Sequence, residues 1–216
     1  MEEKNTFLVS RPFGPTIAKV KIPEEMVKKL NDYVDYVIAD KKKSEAQDSG
    51  NSLAGQVTQE FFLDMRFCET SGWMKFLGTS VANWIKYSGL PTIKRFELIS
   101  SWVVRQFKNE YNPTHWHSGH VSGVGYLKVP DDLGSKRQEN KALNPNGHLE
   151  LIHGSRQFLS QSTYRIEPKV GEFYFFPNYM MHTVYPFSET DQERRSVSFN
   201  AMVDKDIYDI YADKIK

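Results

Sequence analysis

The sequence predicts an α+β protein that is mainly β, in which a sandwich or barrel of short strands carries helices on the back of one sheet. Amphipathic helical stretches lie in residues 1–92. From about residue 93 the chain is rich in β-branched and aromatic residues and is divided by turn residues. Helices before a β-rich half are typical of helices packed on one face of a sheet. With 39% hydrophobic and 13% aromatic residues, a chain of 216 residues can bury a proper core.

Two helices are predicted in the first part of the chain. The first spans residues 24–39, because Pro23 suits the first turn of a helix and an apolar stripe follows at helical spacing. The second begins after Ser71 as its N-cap and ends at Gly89. Its apolar stripe consists of Trp73, Phe76, Leu77, Val81, Trp84 and Ile85.

The segments around these helices lack a helical pattern. Residues 7–22 are interrupted by Pro12, Gly14 and Pro15, so we expect irregular structure or a strand there. The polar segment 40–56 is predicted to be a mobile loop, in which the three lysines at 41–43 are expected to form a solvated helix end.

The β-rich half contains seven predicted strands and one long connection. The strands are residues 93–107, 121–129, 148–153, 164–168, 172–176, 182–185 and 194–203. The polar segment 130–147 is too long for an ordinary turn, so we expect a lid there. We therefore expect one domain over residues 1–216, with a helical support (1–92), a catalytic core (93–203) and a short surface helix as a tail (204–216).

Composition excludes several classes of function. The 28 Lys and Arg balance 27 Asp and Glu, so neither nucleic acid nor a membrane surface is expected as a partner. Cys68 is the single cysteine, which rules out an internal disulfide and favours a reducing compartment. We find no signal peptide and no run of apolar residues long enough to cross a bilayer. A cytoplasmic location, in a bacterium or in a host cell if the chain is phage-encoded, is the expectation.

A histidine cluster is the main chemical signal. All six histidines lie between positions 115 and 182. His115 and His117 stand at i and i+2, a spacing that directs both side chains to one face of an extended strand. If His182 folds over that face, three imidazoles can hold a divalent metal such as iron, zinc, copper or nickel.

Residues 194–203 alternate cleanly between apolar and polar side chains. Arg194, Ser196, Ser198 and Asn200 share one face of the predicted strand. The pattern alone favours a polar face in solvent, as in an ordinary half-buried strand. The alternative places this face inside a barrel, where Arg194 and Ser196 would bind a carboxylate.

The order of these motifs resembles the iron(II)/2-oxoglutarate-dependent oxygenase superfamily, in particular its small prolyl-hydroxylase-like branch found in bacteria and marine phages. The resemblance rests on His-x-His, residues 122–130, residues 147–151, residues 168–177, His182 and the Arg-x-Ser sequence at 194–196. It covers roughly residues 95–203. It implies a double-stranded β-helix (jelly roll) with the metal at its open end. It also implies Fe(II), 2-oxoglutarate and O2, with ascorbate as a reductant in vitro.

The resemblance implies roles for individual residues. His115, His117 and His182 would be the metal ligands and thus the catalytic residues. Arg194 and Ser196 would hold the distal carboxylate of 2-oxoglutarate, with Tyr126 as a further contact.

The ligand set departs from the superfamily, because His117 occupies the place of the usual aspartate. A neutral set of three histidines should hold iron(II) less tightly than two histidines and a carboxylate. An alternative register takes His117 as the first ligand and leaves Gly119 in the carboxylate position, which resembles halogenases. A further alternative brings Glu150 or another carboxylate to the metal. We prefer the set with His115 and His117.

The implied activity is oxidative decarboxylation of 2-oxoglutarate to succinate and CO2, coupled to hydroxylation of a C–H bond. The substrate stays open between a prolyl residue of a peptide, a free amino acid and another small molecule. One alternative is a non-catalytic, cupin-like module that binds a metal or carbohydrate and needs no Arg194. A zinc hydrolase is disfavoured because no glutamate is placed as a general base.

Overall fold

The computed structural model describes residues 8–10, 14–135 and 140–208. Part of the predicted lid and most of the predicted tail lie outside these ranges, as do residues 7 and 11–13 of the segment 7–22. The strands are β1 (Leu8–Ser10), β2 (Ile17–Lys21), β3 (Gln59–Phe62), β4 (Phe96–Gln106), β5 (Asn112–His115), β6 (Val121–Lys128), β7 (Leu149–Ile152), β8 (Thr163–Ile166), β9 (Glu172–Pro177), β10 (Met181–Val184) and β11 (Arg194–Val203). The helices are α1 (Glu24–Ala39), α2 (Lys41–Gln47), α3 (Met65–Thr70), α4 (Trp73–Tyr87) and α5 (Lys205–Tyr208).

Two antiparallel sheets make up the β part of the described chain. The seven-stranded sheet has the order β1-β2-β9-β6-β11-β4-β3, and the four-stranded sheet has the order β5-β10-β7-β8. From β4 onward the chain passes repeatedly from one sheet to the other, which is the winding of a double-stranded β-helix. The predicted fold class, α+β and mainly β with a jelly-roll core, is confirmed.

The larger sheet buries both of its faces. Its outer face contributes Phe173, Phe175, Val197 and Phe199 to a core shared with α1 and α4. Its inner face contributes Tyr126, Tyr174 and Phe176 to a second core shared with Leu149 and Leu151 of the smaller sheet. The polar side chains of this sheet that point away from the helices therefore lie between the two sheets.

The predicted helices pack on the outer face of the larger sheet, as expected. Leu30, Val34 and Val37 of α1 are buried there, as are Trp73 and Leu77 of α4. The Trp73 ring contacts the Phe173 ring edge-on, and its Nε1 donates a hydrogen bond of 3.0 Å to Ser101 Oγ. Within the described ranges, none of the helices has the length and apolar character needed to cross a bilayer.

Two local predictions were wrong. The segment 40–56, expected to be a loop, contains α2 and a short 3₁₀ turn at Gly50–Ser52. Asp40 caps α2 by accepting hydrogen bonds from the amides of Lys42 and Lys43. Lysines at the amino end of a helix oppose its dipole, so the pattern did not favour a helix there. The N-cap of α4 is Gly72, with φ of 88°, rather than Ser71.

The first 92 residues also supply strands: β1 and β2 lie in the segment 7–22, where irregular structure or a strand was expected, whereas β3 was not assigned from the sequence. β2 pairs with β9, and β3 pairs with β4, so both extend the larger sheet. The predicted strand at 194–203 has the predicted bounds, whereas the others differ by a few residues at their ends. β5 was missed altogether, although it carries His115.

We expect replacement of Trp73 to separate packing from hydrogen bonding in the outer core. Trp73→Ala should lower the free energy of unfolding by about 3–5 kcal/mol, because a fully buried indole is removed. Trp73→Phe should cost much less, since it keeps an aromatic ring and loses the hydrogen bond to Ser101, worth about 1 kcal/mol. Urea unfolding measures both values, and equal losses for the two variants would contradict this account.

Candidate metal centre

Strand pairing brings two histidines from distant parts of the chain together. β10 lies between β5 and β7 in the smaller sheet. In this register His182 is the direct partner of His115 on one side and of Leu151 on the other. The imidazole rings of His115 and His182 have centroids 4.3 Å apart.

His117 completes the cluster from just beyond the end of β5. Its Nε2 lies 3.1 Å from Nε2 of His182, and its ring centroid lies 5.0 Å from that of His115. One candidate ligand atom from each of the three histidines lies within 4.8 Å of the others. Trp102 packs beside His117 with 5.2 Å between ring centroids, and Phe176 packs beside His182 at 5.0 Å. The three imidazoles therefore converge on one point at the end of the barrel.

Main-chain carbonyls set the tautomers of two of these histidines. His115 Nδ1 lies 2.7 Å from the Pro113 carbonyl oxygen, and His182 Nδ1 lies 2.8 Å from that of Met180. Because a carbonyl can only accept, each Nδ1 carries the proton and each Nε2 keeps its lone pair for a metal. Such hydrogen bonds commonly orient metal-binding histidines.

Burial keeps all three imidazoles neutral. It lowers the pKa of His115, and it lowers the pKa of His182 to about 3 together with the nearby His115. The pKa of His117 falls to about 2, mainly through burial and further through the other two histidines. A neutral imidazole is the form that binds metal, so the cluster fits a divalent cation near neutral pH.

Glu150 does not join the histidine cluster. Its carboxylate accepts hydrogen bonds from Arg165 Nε at 2.9 Å and from the Tyr185 hydroxyl at 3.1 Å. Glu150 is the partner of Thr183 in the sheet, so it lies on the face opposite His182.

The presence of glycine at position 119 is explained by the backbone that packs against it. Its φ is +88°, and a Cβ there would lie 2.8 Å from the Ala201 carbonyl oxygen. A side chain at this position is therefore excluded by the backbone of β11. This geometry explains the glycine without a halide in the position of a carboxylate ligand.

The remaining histidines lie outside the cluster. His120 Nδ1 accepts a hydrogen bond from the Val203 amide, and its ring stacks on Tyr208. His153 lies beside Tyr179. His148 stands at the start of β7, next to Gly147.

The polar face of β11 turns into the barrel. Ser196, Ser198 and Asn200 are nearly buried, and the alternate residues Val197 and Phe199 pack in the outer core. Ser196 lies opposite Tyr126 on β6. The polar face that could have been solvated is thus the inner lining of the jelly roll.

Arg194 is a buried cation whose hydrogen-bonding capacity is only partly used. It is 1% exposed, its Nε donates to the Gly147 carbonyl at 3.0 Å, and its guanidinium lies 5.0 Å from the centre of the Tyr126 ring. Among the described residues, Arg194 Nη2, the Tyr126 hydroxyl and His148 Nδ1 have no hydrogen-bond partner. Burial raises the pKa of Tyr126 to about 12, against the effect of the Arg194 charge, and lowers the pKa of Arg194.

These unpaired groups fit an anion bound inside the barrel. A buried guanidinium with a free N–H is suited to a carboxylate. Sequence reasoning identified Arg194, Ser196 and Tyr126 but missed His148, whose unpaired nitrogen is apparent only in the folded chain.

Comparisons with known proteins agree with this chemistry. A family model described as "Putative 2OG-Fe(II) oxygenase" matches residues 100–200, which contain β5 to β10, most of β11 and the three histidines. No curated protein matches the chain.

Solved structures share the fold. A Pseudomonas putida prolyl-4-hydroxylase aligns at 14% identity over 91% of this chain and 93% of that chain, with a TM-score of 0.53. AviO1 from Streptomyces viridochromogenes aligns at 12% identity over 94% and 91%, with a TM-score of 0.56. A Trichoplax adhaerens prolyl hydroxylase in complex with a hypoxia inducible factor peptide fragment aligns at 13% identity over 97% and 88%, with a TM-score of 0.51.

The histidine cluster predicts a specific metal-binding result. We expect one Co(II) per chain to bind with a visible ligand-field spectrum, since Co(II) reports on coordination by imidazole. His117→Ala and His182→Ala should each weaken binding by more than the roughly 10–100-fold lost when an outer partner of a ligand is removed. His153→Ala is the matched control and should bind as the wild type does. Equal affinities for all four proteins would refute the cluster as the metal site.

Proposed function

We propose that this chain, an enzyme that uses iron(II), 2-oxoglutarate and O2 as do the 2OG-Fe(II) oxygenases whose family model matches residues 100–200, hydroxylates a C–H bond of a peptide or small-molecule substrate. One O2 and one 2-oxoglutarate would be consumed for each hydroxyl group formed, with release of succinate and CO2. The observation that carries the proposal is the pairing of a three-histidine cluster with a buried, partly unpaired arginine inside one barrel.

We assign the metal to His115, His117 and His182. Their Nε2 lone pairs are available because Nδ1 of His115 and of His182 faces a carbonyl oxygen. Bound iron(II) would supply the redox chemistry by which O2 is reduced while 2-oxoglutarate is oxidised. Three protein ligands leave further coordination positions open for small molecules.

We assign the distal carboxylate of 2-oxoglutarate to Arg194, with Ser196 and Tyr126 beside it. The free N–H of Arg194 and the unpaired Tyr126 hydroxyl are both donors. Their enclosure strengthens a charge-assisted hydrogen bond and excludes water from this end of the co-substrate. Arg194 would thereby direct the keto acid end of 2-oxoglutarate to the metal. In this assignment residues 93–203 are the catalytic core, supported by residues 1–92.

A prolyl residue of a peptide is the substrate we propose to examine first. Two structures with this fold are prolyl hydroxylases, one of them in complex with a peptide fragment. A purely metal-binding module is less well supported, since it would have no use for the buried Arg194.

Turnover of 2-oxoglutarate tests the proposal. With Fe(II), ascorbate and O2, the purified protein should convert 2-oxoglutarate to succinate, faster when a proline-containing peptide is present. His182→Ala should lower the rate to background, because a metal ligand is lost, while His153→Ala should not. Succinate measured by mass spectrometry gives the result. Absence of metal-dependent succinate under all these conditions would count against the function.

Replacement of Arg194 tests the co-substrate site separately. Arg194→Met should weaken 2-oxoglutarate binding by at least about 30-fold, since loss of a buried partner of a charge costs about 2–5 kcal/mol. It should leave the metal-free protein at least as stable as the wild type, because a buried cation without a carboxylate partner is removed. Arg165→Met, which removes a cation paired with Glu150, is the control and should keep its 2-oxoglutarate affinity. Calorimetric titration and urea unfolding provide both readings.

A further inference from the structure

A short turn between β9 and β10 contacts the segment that carries His117. In this turn, residues 177–180, the Met180 amide donates to the Pro177 carbonyl at 3.0 Å. Asn178 makes three hydrogen bonds to residues 117–120. Its amide donates to the His120 carbonyl at 3.2 Å, its carbonyl accepts from the His117 amide at 3.0 Å, and its Nδ2 donates to the His117 carbonyl at 3.2 Å. Both main-chain polar groups of His117 are thus held by one residue.

His117 needs such support more than the other two histidines do. Nδ1 of His115 and of His182 is oriented by a carbonyl oxygen. In the described part of the chain, His117 Nδ1 has no corresponding hydrogen bond. Its ring is flanked by Trp102, a contact that limits tilt without selecting a tautomer. The direction of the His117 side chain therefore depends on the position of its main chain.

The other end of the 117–120 segment is held independently. The His120 amide donates to the Ala201 carbonyl at 2.9 Å, and Gly119 approaches the same carbonyl too closely for a side chain. The segment is consequently held by β11 on one side and by Asn178 on the other. Loss of the Asn178 side-chain amide therefore removes a hydrogen bond only at His117 and leaves the contacts of His120 in place.

The same turn also orients His182. The carbonyl of Met180, the residue whose amide closes the turn, accepts the Nδ1 proton of His182 at 2.8 Å. One four-residue turn thus sets the main chain of one proposed ligand and the imidazole of another, although the first lies between β5 and β6 and the second on β10.

We propose that Asn178 is a positioning residue for the metal centre, one that holds His117 in the geometry in which its Nε2 meets that of His182. This inference rests on the proposed assignment of the three histidines to a metal. The two main-chain hydrogen bonds of Asn178 are open to any residue except proline, so the side-chain bond from Nδ2 to the His117 carbonyl is the part that requires asparagine.

Substitution at Asn178 should change metal binding more than folding. Asn178→Leu keeps a similar volume, removes the Nδ2 donor and also removes Oδ1, which is buried and has no partner among the described residues. We expect Co(II) affinity to fall roughly 10–100-fold, as for other outer partners of metal ligands. The ligand-field spectrum should also change, because the coordination geometry alters. The thermal midpoint of the metal-free protein should move by no more than about 4 °C.

Two further variants make the test specific. Asn178→Gln retains an amide donor on a longer arm and should restore part of the lost Co(II) affinity. Asn146→Leu is a matched control, since Asn146 Nδ2 also bridges loop carbonyls, those of Leu133 and Ser135, away from the histidines. It should lower the thermal midpoint and leave the Co(II) affinity and spectrum unchanged.

The outcomes separate this inference from the function it rests on. If the wild type binds Co(II) and Asn178→Leu binds it with the same affinity and spectrum, Asn178 is not a positioning residue and the proposed function stands. A second outcome would be that Asn178→Leu loses much of its thermal stability and that its Co(II) affinity falls only in proportion. If Asn146→Leu shows the same proportion, the role of Asn178 is structural and the inference fails. Wild-type protein that binds no metal would overturn the proposed function itself.

Discussion

The register of β10 is the constraint on which the metal centre depends. A shift of one residue would turn His182 to the other face of the sheet and replace it with Met181 or Thr183. Two neighbours prevent this shift. On one side β10 pairs with β5, and on the other it pairs with β7, whose Leu151 is buried and whose Glu150 binds Arg165 on the opposite face. The alternation of apolar and charged side chains along β7 thus fixes the face of the sheet on which the His182 imidazole lies.

The consecutive arginines at the start of β11 show how a fully paired and a partly unpaired buried cation differ. Arg195 is fully buried on the outer face, yet Glu193 and Asp35 accept its hydrogen bonds at 2.7 Å and Asn31 adds another at 3.0 Å. It ties α1 to the sheet. Arg194 on the inner face has one carbonyl and a tyrosine ring beside it, with Nη2 unpaired. Because a buried cation with free donors is costly, a binding role for Arg194 explains its position better than a structural one.

The features that depend on local periodicity were predicted from the sequence. The i, i+2 histidines, the amphipathic α1 and α4, and the alternation along β11 are all properties of neighbouring residues. Strand β5 was not predicted, because its Asn112-Pro113-Thr114 run has the composition of a turn and becomes a strand only through pairing with β10. Nor could periodicity decide which way the polar face of β11 points, because both faces of this central strand are buried. The resemblance, rather than the pattern, predicted that face correctly, and the partners of Asn178 and His148 required the folded chain.

Charge explains why the neutral ligand set and the buried arginine belong together. In the proposed assignment, three imidazoles would leave both positive charges of iron(II) uncompensated, whereas the usual aspartate would remove one of them. Among the described residues no carboxylate joins the cluster, since Glu150 is engaged by Arg165 on the other face. The anionic charge must therefore come with the co-substrate, whose two carboxylates would lie between the metal and Arg194. Each cation then favours binding of the same dianion, so metal and 2-oxoglutarate should strengthen the binding of each other, and by linkage to the same extent. Such coupling would compensate for the weaker binding of iron(II) that is expected of three neutral ligands.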